Sequence, residues 1–330
     1  MLGNMKERIE QIRSNTWYAN EGQRMIRKGA ELLLLVFRAV IIVGLSYVIL
    51  GPLIGIIANS LFSNSDAYSP IVYIIPQNPT LERYRLAILR MDYWNTLRNT
   101  LIYVVSLTVI QVFVCSLVGY GFARYNFPFK KVLFAFVIIM IVVPPHSIMF
   151  PLYITFRNFN PLWLAGLFTA DGRGLSLLQT PYPMYIMSVL ATGLRAGLYI
   201  FIFNQFFRAL PKEIEEASAI DGAGAIYTYF RIMLPNAVPA IITVTIFSIV
   251  WQYNDTFYAR LFLTNDNIIL SRKIQSLQYN IQNLDRVMDP SISQLYVYAG
   301  VVLLIIPVVI LYVLLQKQFI EGVERSGIVG

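Results

Sequence analysis

Only one cysteine, Cys115, and one histidine, His146, occur in 330 residues, and just 13% of the side chains are charged. Cys115 lies inside an apolar run, so the chain has no disulfide framework and no CxxC pair for metal or redox chemistry. Paired carboxylates are missing from the apolar stretches, which leaves nucleophilic and metal-assisted catalysis without their parts. No GxxxxGK[ST] phosphate loop occurs, so nothing in the sequence cradles a nucleotide. Soluble domains carry roughly a quarter charged residues, and the shortfall here excludes an ordinary soluble protein.

What is abundant is apolar surface: 57% of residues are hydrophobic and the mean hydropathy is +0.60. A helix needs roughly 20 apolar residues to cross about 30 Å of hydrocarbon, and six segments meet that length: 39–62, 100–123, 132–153, 183–207, 237–257 and 296–315. The first, second and last contain no charge. The third carries Pro144, Pro145 and Pro151, the fourth Arg195 and the fifth Asp255, so these three are expected to be bent or solvent-lined. About 30 polar residues precede the first apolar run, unlike a cleavable signal peptide, so that span is expected to be retained.

The net charge is +8, with basic residues scattered among loops rather than gathered in a stripe with interleaved aromatics. This reads as membrane topology, not nucleic-acid binding. With the N-terminus inside, fifteen Lys and Arg fall on the cytoplasmic side and ten on the other, which puts both termini in the cytoplasm.

On that cytoplasmic side, between the fourth and fifth segments, lies EEASAIDGAGAIYTYFRIMLPNAVP from Glu215. Pro211 suits a first helical turn, and Glu213, Glu215 and Glu216 sit where the helix dipole favours negative charge. Ala217, Ser218 and Ala219 keep the surface low, and Gly222 and Gly224 offer the left-handed conformations that end a helix. A helix from Pro211 to Asp221 would be about 16 Å long, and Ala225 to Leu234 would form a second before Pro235. A short, acidic-headed helix with a small surface is shaped to be gripped by a partner.

Glu216, Ala217, Ser218, Gly222, Ile232, Leu234 and Pro235 fall on the spacing EAA-x3-G-x9-I-x-LP, with Ser218 in place of the third small residue. In this the segment resembles the EAA loop of ABC-importer permeases. NPTLERYR from Asn78, WNTLRNTLIYV from Trp94, GYGFARYNFPFKK from Gly119 and ALPKEIEEASAIDGAG from Ala209 resemble the carbohydrate-uptake branch, the maltose-type second permease. The likeness covers roughly Pro79 to Val329.

The resemblance implies a second homologous permease, two copies of a cytoplasmic ATPase and an extracytoplasmic substrate-binding protein as partners, with ATP and magnesium held by the ATPase and no cofactor by this chain. It implies that the loop, with Glu215, Glu216, Ala217, Ser218, Asp221, Gly222, Ile232, Leu234 and Pro235, couples to that ATPase. Glu216 would contact its cleft, Ala217 and Ser218 would allow close approach, and Gly222 would make the turn. Closure of the ATPase dimer would then rock the permease halves between inward- and outward-facing states.

Several residues keep two readings. Trp251, Gln252, Tyr253, Asn254 and Asp255 supply the aromatic faces and polar groups that hold sugars, and they equally describe an outer aromatic belt. They resemble the family's Trp-Asn signature with Gln252 interposed. Arg195 either lines a substrate path or marks a helix break and snorkels outward. His146, without a carboxylate or second histidine near it in sequence, reads as structural. The segment from Asp66 to Arg98 is either a docking surface or a passive loop. The basic N-terminus either lies on anionic lipid or is a disordered extension. The tail from Gln316 resembles the family's closing Phe and Gly pattern but lacks its usual lysine.

The expectation is an all-α membrane protein with six transmembrane helices of the ABC type I importer permease fold and a cytoplasmic EAA coupling helix. Residues 1–38 would form a basic extension, 39–316 the permease domain with its EAA loop at 209–235, and 317–330 a cytoplasmic tail. It would import a di- or oligosaccharide across a bacterial-type cytoplasmic membrane and would not itself be an enzyme. A non-sugar solute is the alternative. A secondary transporter, which needs no EAA loop and shows inverted repeats, fits less well.

Overall fold

The computed structural model describes the backbone of residues 2–160, 174–263 and 269–327, with side chains between 31 and 314 in those ranges. Fifteen α-helices are described: α1 (Leu2–Ser60), α2 (Asn64–Tyr68), α3 (Glu82–Arg90), α4 (Tyr93–Arg124), α5 (Lys130–Val142), α6 (Met149–Arg157), α7 (Tyr182–Val189), α8 (Ala196–Ala209), α9 (Glu213–Ile220), α10 (Ala225–Thr228), α11 (Leu234–Asn236), α12 (Val238–Tyr253), α13 (Phe257–Phe262), α14 (Leu270–Leu284) and α15 (Pro290–Gly327). A π turn over Tyr229–Met233 joins α10 to α11. The only pairing of extended backbone among the described residues is one bridge between Phe159 and Leu175.

Three helices are long and apolar enough to cross a membrane unbroken, in α1, α4 and α15. The third expected segment is bent by 107° between Lys130–Val142 and Pro145–Arg157. Pro144 and Pro145 supply the cause, since neither has an N–H to continue the helix and each pushes the residue before it out of the α region. In the fourth, α7 ends at Val189 and α8 begins at Ala196, with Ala191 and Arg195 in left-handed conformations at φ 59° and 60°. The fifth corrects its expectation: α12 itself is unbroken, and the 76° bend lies before it, after Asn236. Asp255 sits beyond its end, where its carboxylate accepts the backbone N–H groups of Phe257, Tyr258 and Ala259 and starts α13. The N-terminal extension and the tail continue α1 and α15 as helix rather than as loop, the last residues 328–330 lying outside the described ones.

Between Asp66 and Arg98 the chain runs through the end of α2, an irregular stretch over 69–81, α3 and the start of α4, held by specific side-chain contacts. The buried Arg83 donates to the Phe62 carbonyl at 2.9 Å and to Asn64 Oδ1 at 2.6 Å, with its guanidinium 4.7 Å from the Tyr296 ring centroid. Arg90 closes a bidentate pair with Asp285 at the end of α14, 2.8 Å from Nε to Oδ2. These bonds tie α3 onto α14 and α15.

Two apolar cores stack along α4. One gathers Tyr93, Tyr103 and Leu107 with Phe262, Leu277 and Leu303; the other gathers Cys115 and Tyr120 with Tyr199, Phe203, Phe207 and Met233. A buried polar layer lies between them on the next turns of α4. Gln111 donates to the Leu194 carbonyl at 3.2 Å and accepts from Ser248 at 3.0 Å and from Gln252 at 3.2 Å; Ser248 is also 3.1 Å from Thr108. This layer pins the α7–α8 break against α4 and α12, which matters because a broken helix at membrane depth leaves backbone groups to satisfy. Near the α9 end, α4 and α8 touch backbone to backbone. A Cβ added at Gly119 would stand 2.6 Å from Phe203 Cβ and 3.0 Å from the Asn204 nitrogen.

Candidate coupling loop and membrane site

The loop after α8 folds from its own local chemistry. Three acidic residues occupy the first turn of α9, and Gly222, at φ +78°, ends it. The Gly222 N–H donates to the Ala219 carbonyl at 3.1 Å and the Ala223 N–H to the Ser218 carbonyl at 3.0 Å, the crossed pair of a glycine-terminated helix. α10, the π turn and α11 then return the chain to α12. Ile232 and Leu234 are half-buried there, and Pro235 is exposed in α11 ahead of the 76° bend.

The loop sorts its acidic residues by face. Glu213, Glu216 and Asp221 are exposed beside Ala217, and Ile220 and Ile226 stand out at 86% and 76% exposure. Glu215 turns inward. Its Oε1 accepts the Tyr120 hydroxyl at 2.7 Å and its Oε2 lies 3.1 Å from Arg124 Nε in an ion pair, while a terminal nitrogen of Arg124 donates to the Leu210 carbonyl at 2.8 Å. Ser218, grouped by sequence with the small contact residues, also turns inward: it is buried and 2.9 Å from the Thr228 hydroxyl, tying α9 to α10. Its small side chain serves packing within the loop. Tyr229, 2.7 Å from Ser116 of α4, roots the return strand of the loop. Tyr120 and Arg124 went unnoticed as site residues because their partner lies about ninety positions along the chain; the one signal was their place in the GYGFAR stretch.

The five residues from Trp251 to Asp255 do not act together. Gln252 is buried in the polar layer, Tyr253 is buried with its hydroxyl on the Leu304 carbonyl at 2.8 Å, and Asp255 is consumed as a helix cap. In this conformation of the single chain these three side chains are turned into the protein. Asn254 is exposed, its amide on the Val250 carbonyl at 2.9 Å, and Trp251 is 41% exposed. Arg195 lies over the Trp251 ring, 4.1 Å from its centroid, at the helix break. Beside it a cavity of about 390 Å³ opens between the α5–α6 bend and the α7–α8 break, lined by Val143, Ile148, Thr192, Arg195 and Tyr258 among others. His146 packs on Phe257, ring centroids 4.5 Å apart.

Residues 115–325 match the family described as binding-protein-dependent transport system inner membrane component. This chain belongs to that family. It is thus a transport permease subunit, a multi-pass membrane protein. A probable ABC transporter permease of Pyrococcus horikoshii is 29% identical to it over 85% of this chain and 92% of its own length. The melibiose/raffinose/stachyose import permease of Bacillus subtilis is 27% identical over 78% of this chain and 84% of its own length. The permease also shares its fold with a bacterial ABC transporter involved in the import of the acidic polysaccharide alginate, with a TM-score of 0.68 over 88% of this chain and 98% of that one at 20% identity. The all-helical architecture, with its bent spans and its short helix between the fourth and fifth, is the type I importer permease fold.

Proposed function

We propose that this permease is one of two homologous subunits forming the translocation path of an ATP-driven carbohydrate importer, with both termini cytoplasmic. A separate ATPase, present in two copies and holding ATP and magnesium, grips the α9 loop, and a substrate-binding protein docks on the opposite side. The chain itself binds no nucleotide. The observation that carries the coupling role is the division of labour in α9: Glu216, Asp221 and Ile220 face out for a partner, while Glu215 is bolted through Arg124 and Tyr120 to the end of α4. A pull on the exposed face is passed to the longest intramembrane packing element rather than lost in a loose loop. The carbohydrate class is supported by relatives in Bacillus subtilis, a melibiose/raffinose/stachyose import permease and a maltodextrin transport permease. Of the residues at the end of α12, Trp251 and Asn254 are the ones free to meet a sugar.

The test is purification of the chain from its own membrane in mild detergent. A second permease and an ATPase are expected to accompany it, with the ATPase lost in Glu216→Lys and in Gly222→Pro, whose ring cannot adopt a positive φ. Arg124→Ala, which removes the ion pair to Glu215, is expected to keep the ATPase bound but to lower uptake per ATP. Recovery of the chain alone, unchanged by the variants, overturns the reading.

A further inference from the structure

We propose that Arg195 is a substrate-contacting residue of the translocation path, and that the solute it receives carries a carboxylate. The site is its guanidinium, which lies over the Trp251 ring and lines the cavity between the two helix breaks. The proposal deepens the carbohydrate reading above and rests on it, narrowing the solute to an acidic sugar.

Depth comes first. The fourteen residues of α8 separate Arg195 from the α9 end, about 21 Å along the helix, against a hydrocarbon thickness of about 30 Å. A charge at that depth is very unfavourable against lipid, and such residues face water-filled paths or protein. Arg195 is exposed on the single chain, so its surroundings are the path and the subunit across it.

The backbone at Arg195 is also held in place, and its side chain is left without an anion. Its left-handed backbone, φ 60°, is fixed by neighbours: Gln111 holds the Leu194 carbonyl, and the Ala196 N–H bonds to Gly193 at 3.0 Å. A non-glycine residue persists in that conformation only where the surroundings over-determine it. Among the described residues Arg195 makes no ion pair and no side-chain hydrogen bond; its close partner is the Trp251 ring at 4.1 Å. The ring offers the guanidinium no hydrogen-bond acceptor in its plane, so the contact leaves N–H groups of Arg195 without an acceptor among the described residues. No carboxylate lines the cavity, and the acidic group nearest in sequence to Trp251, Asp255, already accepts three backbone N–H groups. The guanidinium fork therefore has no anion paired with it among the described residues.

That fork matches a carboxylate bidentately, and the part-exposed indole offers a flat apolar surface to the C–H face of a sugar ring. A uronate-bearing sugar answers both features at once, whereas a neutral sugar leaves the charge unmatched.

The test uses the complete transporter, purified with its native partners and reconstituted, with ATP-driven uptake of trigalacturonate and maltotriose as matched probes. Uptake of trigalacturonate is expected, falling roughly tenfold or more in Arg195→Gln with partial recovery in Arg195→Lys and the complex still assembled. Equal trigalacturonate uptake in Arg195→Gln overturns the assignment. So does loss of the second permease from the Arg195→Gln complex with retention in Arg195→Lys, which would make the guanidinium a subunit ion pair. Uptake of maltotriose alone leaves the carbohydrate reading standing and overturns this one. Uptake of neither probe overturns the acidic-sugar assignment and leaves the carbohydrate reading to the co-purification test above.

Discussion

Over their apolar windows α1 and α4 have mean hydropathies of 2.6 and 2.4, yet none of the α1 window is buried against protein while 39% of the α4 window is. Inside a bilayer, lipid tails are as apolar as leucine, so hydrophobicity alone does not bring helices together. Association depends on small residues that let backbones approach and on polar side chains that bond across. Along α4, Thr96, Thr100, Thr108, Gln111, Ser116 and Gly119 are buried. On α1, Leu32 to Leu50 is exposed throughout, and protein contact begins only in its last turns, where Ser60 is 2.6 Å from the Tyr84 hydroxyl.

If small residues rather than apolarity decide packing, the same substitution must be costly on one helix and neutral on the other. Gly119→Leu would drive a side chain into Phe203 and the α8 backbone, whereas a Cβ at Gly44 meets nothing within 4 Å. Gly119→Leu is expected to destabilise by on the order of 3 kcal/mol, seen as a large fall in the detergent unfolding temperature, and Gly44→Leu to leave that temperature unchanged. Equal effects would break the comparison.

A smaller effect sharpens it at the polar layer. Gln111→Leu removes the acceptor of Ser248 and Gln252 and the donor to Leu194, and is expected to cost about 2 kcal/mol because buried partners are left unmade. Gln111→Leu combined with Gln252→Leu should recover part of that loss, since no amide is then stranded. Thermal unfolding of the single and double variants measures both.

The smallest effect concerns how the end of α1 is held. Tyr68, just after it, donates its hydroxyl to Asp289, which also accepts the Ser291 N–H at 2.7 Å at the start of α15. The Tyr68 hydroxyl, then the Ser291 N–H, hold the Asp289 carboxyl below its ordinary value of 3.8. A depressed folded value means that the stabilisation is present above that ordinary value and fades as pH falls through the depressed one. The protection of Asn64–Tyr68 amides, taken relative to their intrinsic exchange at each pH, is expected to fall below about pH 4, and in Asp289→Asn to be already reduced at neutral pH.

Much of this was legible in sequence because it is local. Pro144 and Pro145 announce the bend of the third segment, and the glycines flanking Arg195 announce the break of the fourth. The α9 loop is read from capping within a few residues, as Gly222 and Ser218 illustrate. α14 carries its own local signal: Leu270, Ile274, Leu277 and Ile281 recur at helical spacing, and three of them are fully buried. Tyr120 and Glu215 stand 95 positions apart, and no pattern in either stretch predicts that they meet. Likewise nothing in WQYND says which of its side chains look outward.

By itself the sequence determined which stretches prefer hydrocarbon, where their helices break and how the coupling loop turns, because those outcomes depend on residues a few positions apart. Only the tertiary structure decided that Glu215 faces in and Glu216 out, that Gln252 and Asp255 are spent on packing, and that Arg195 lies over Trp251. Each of those depends on which distant helix approaches which face, and that is set by close contacts such as Gly119 against Phe203.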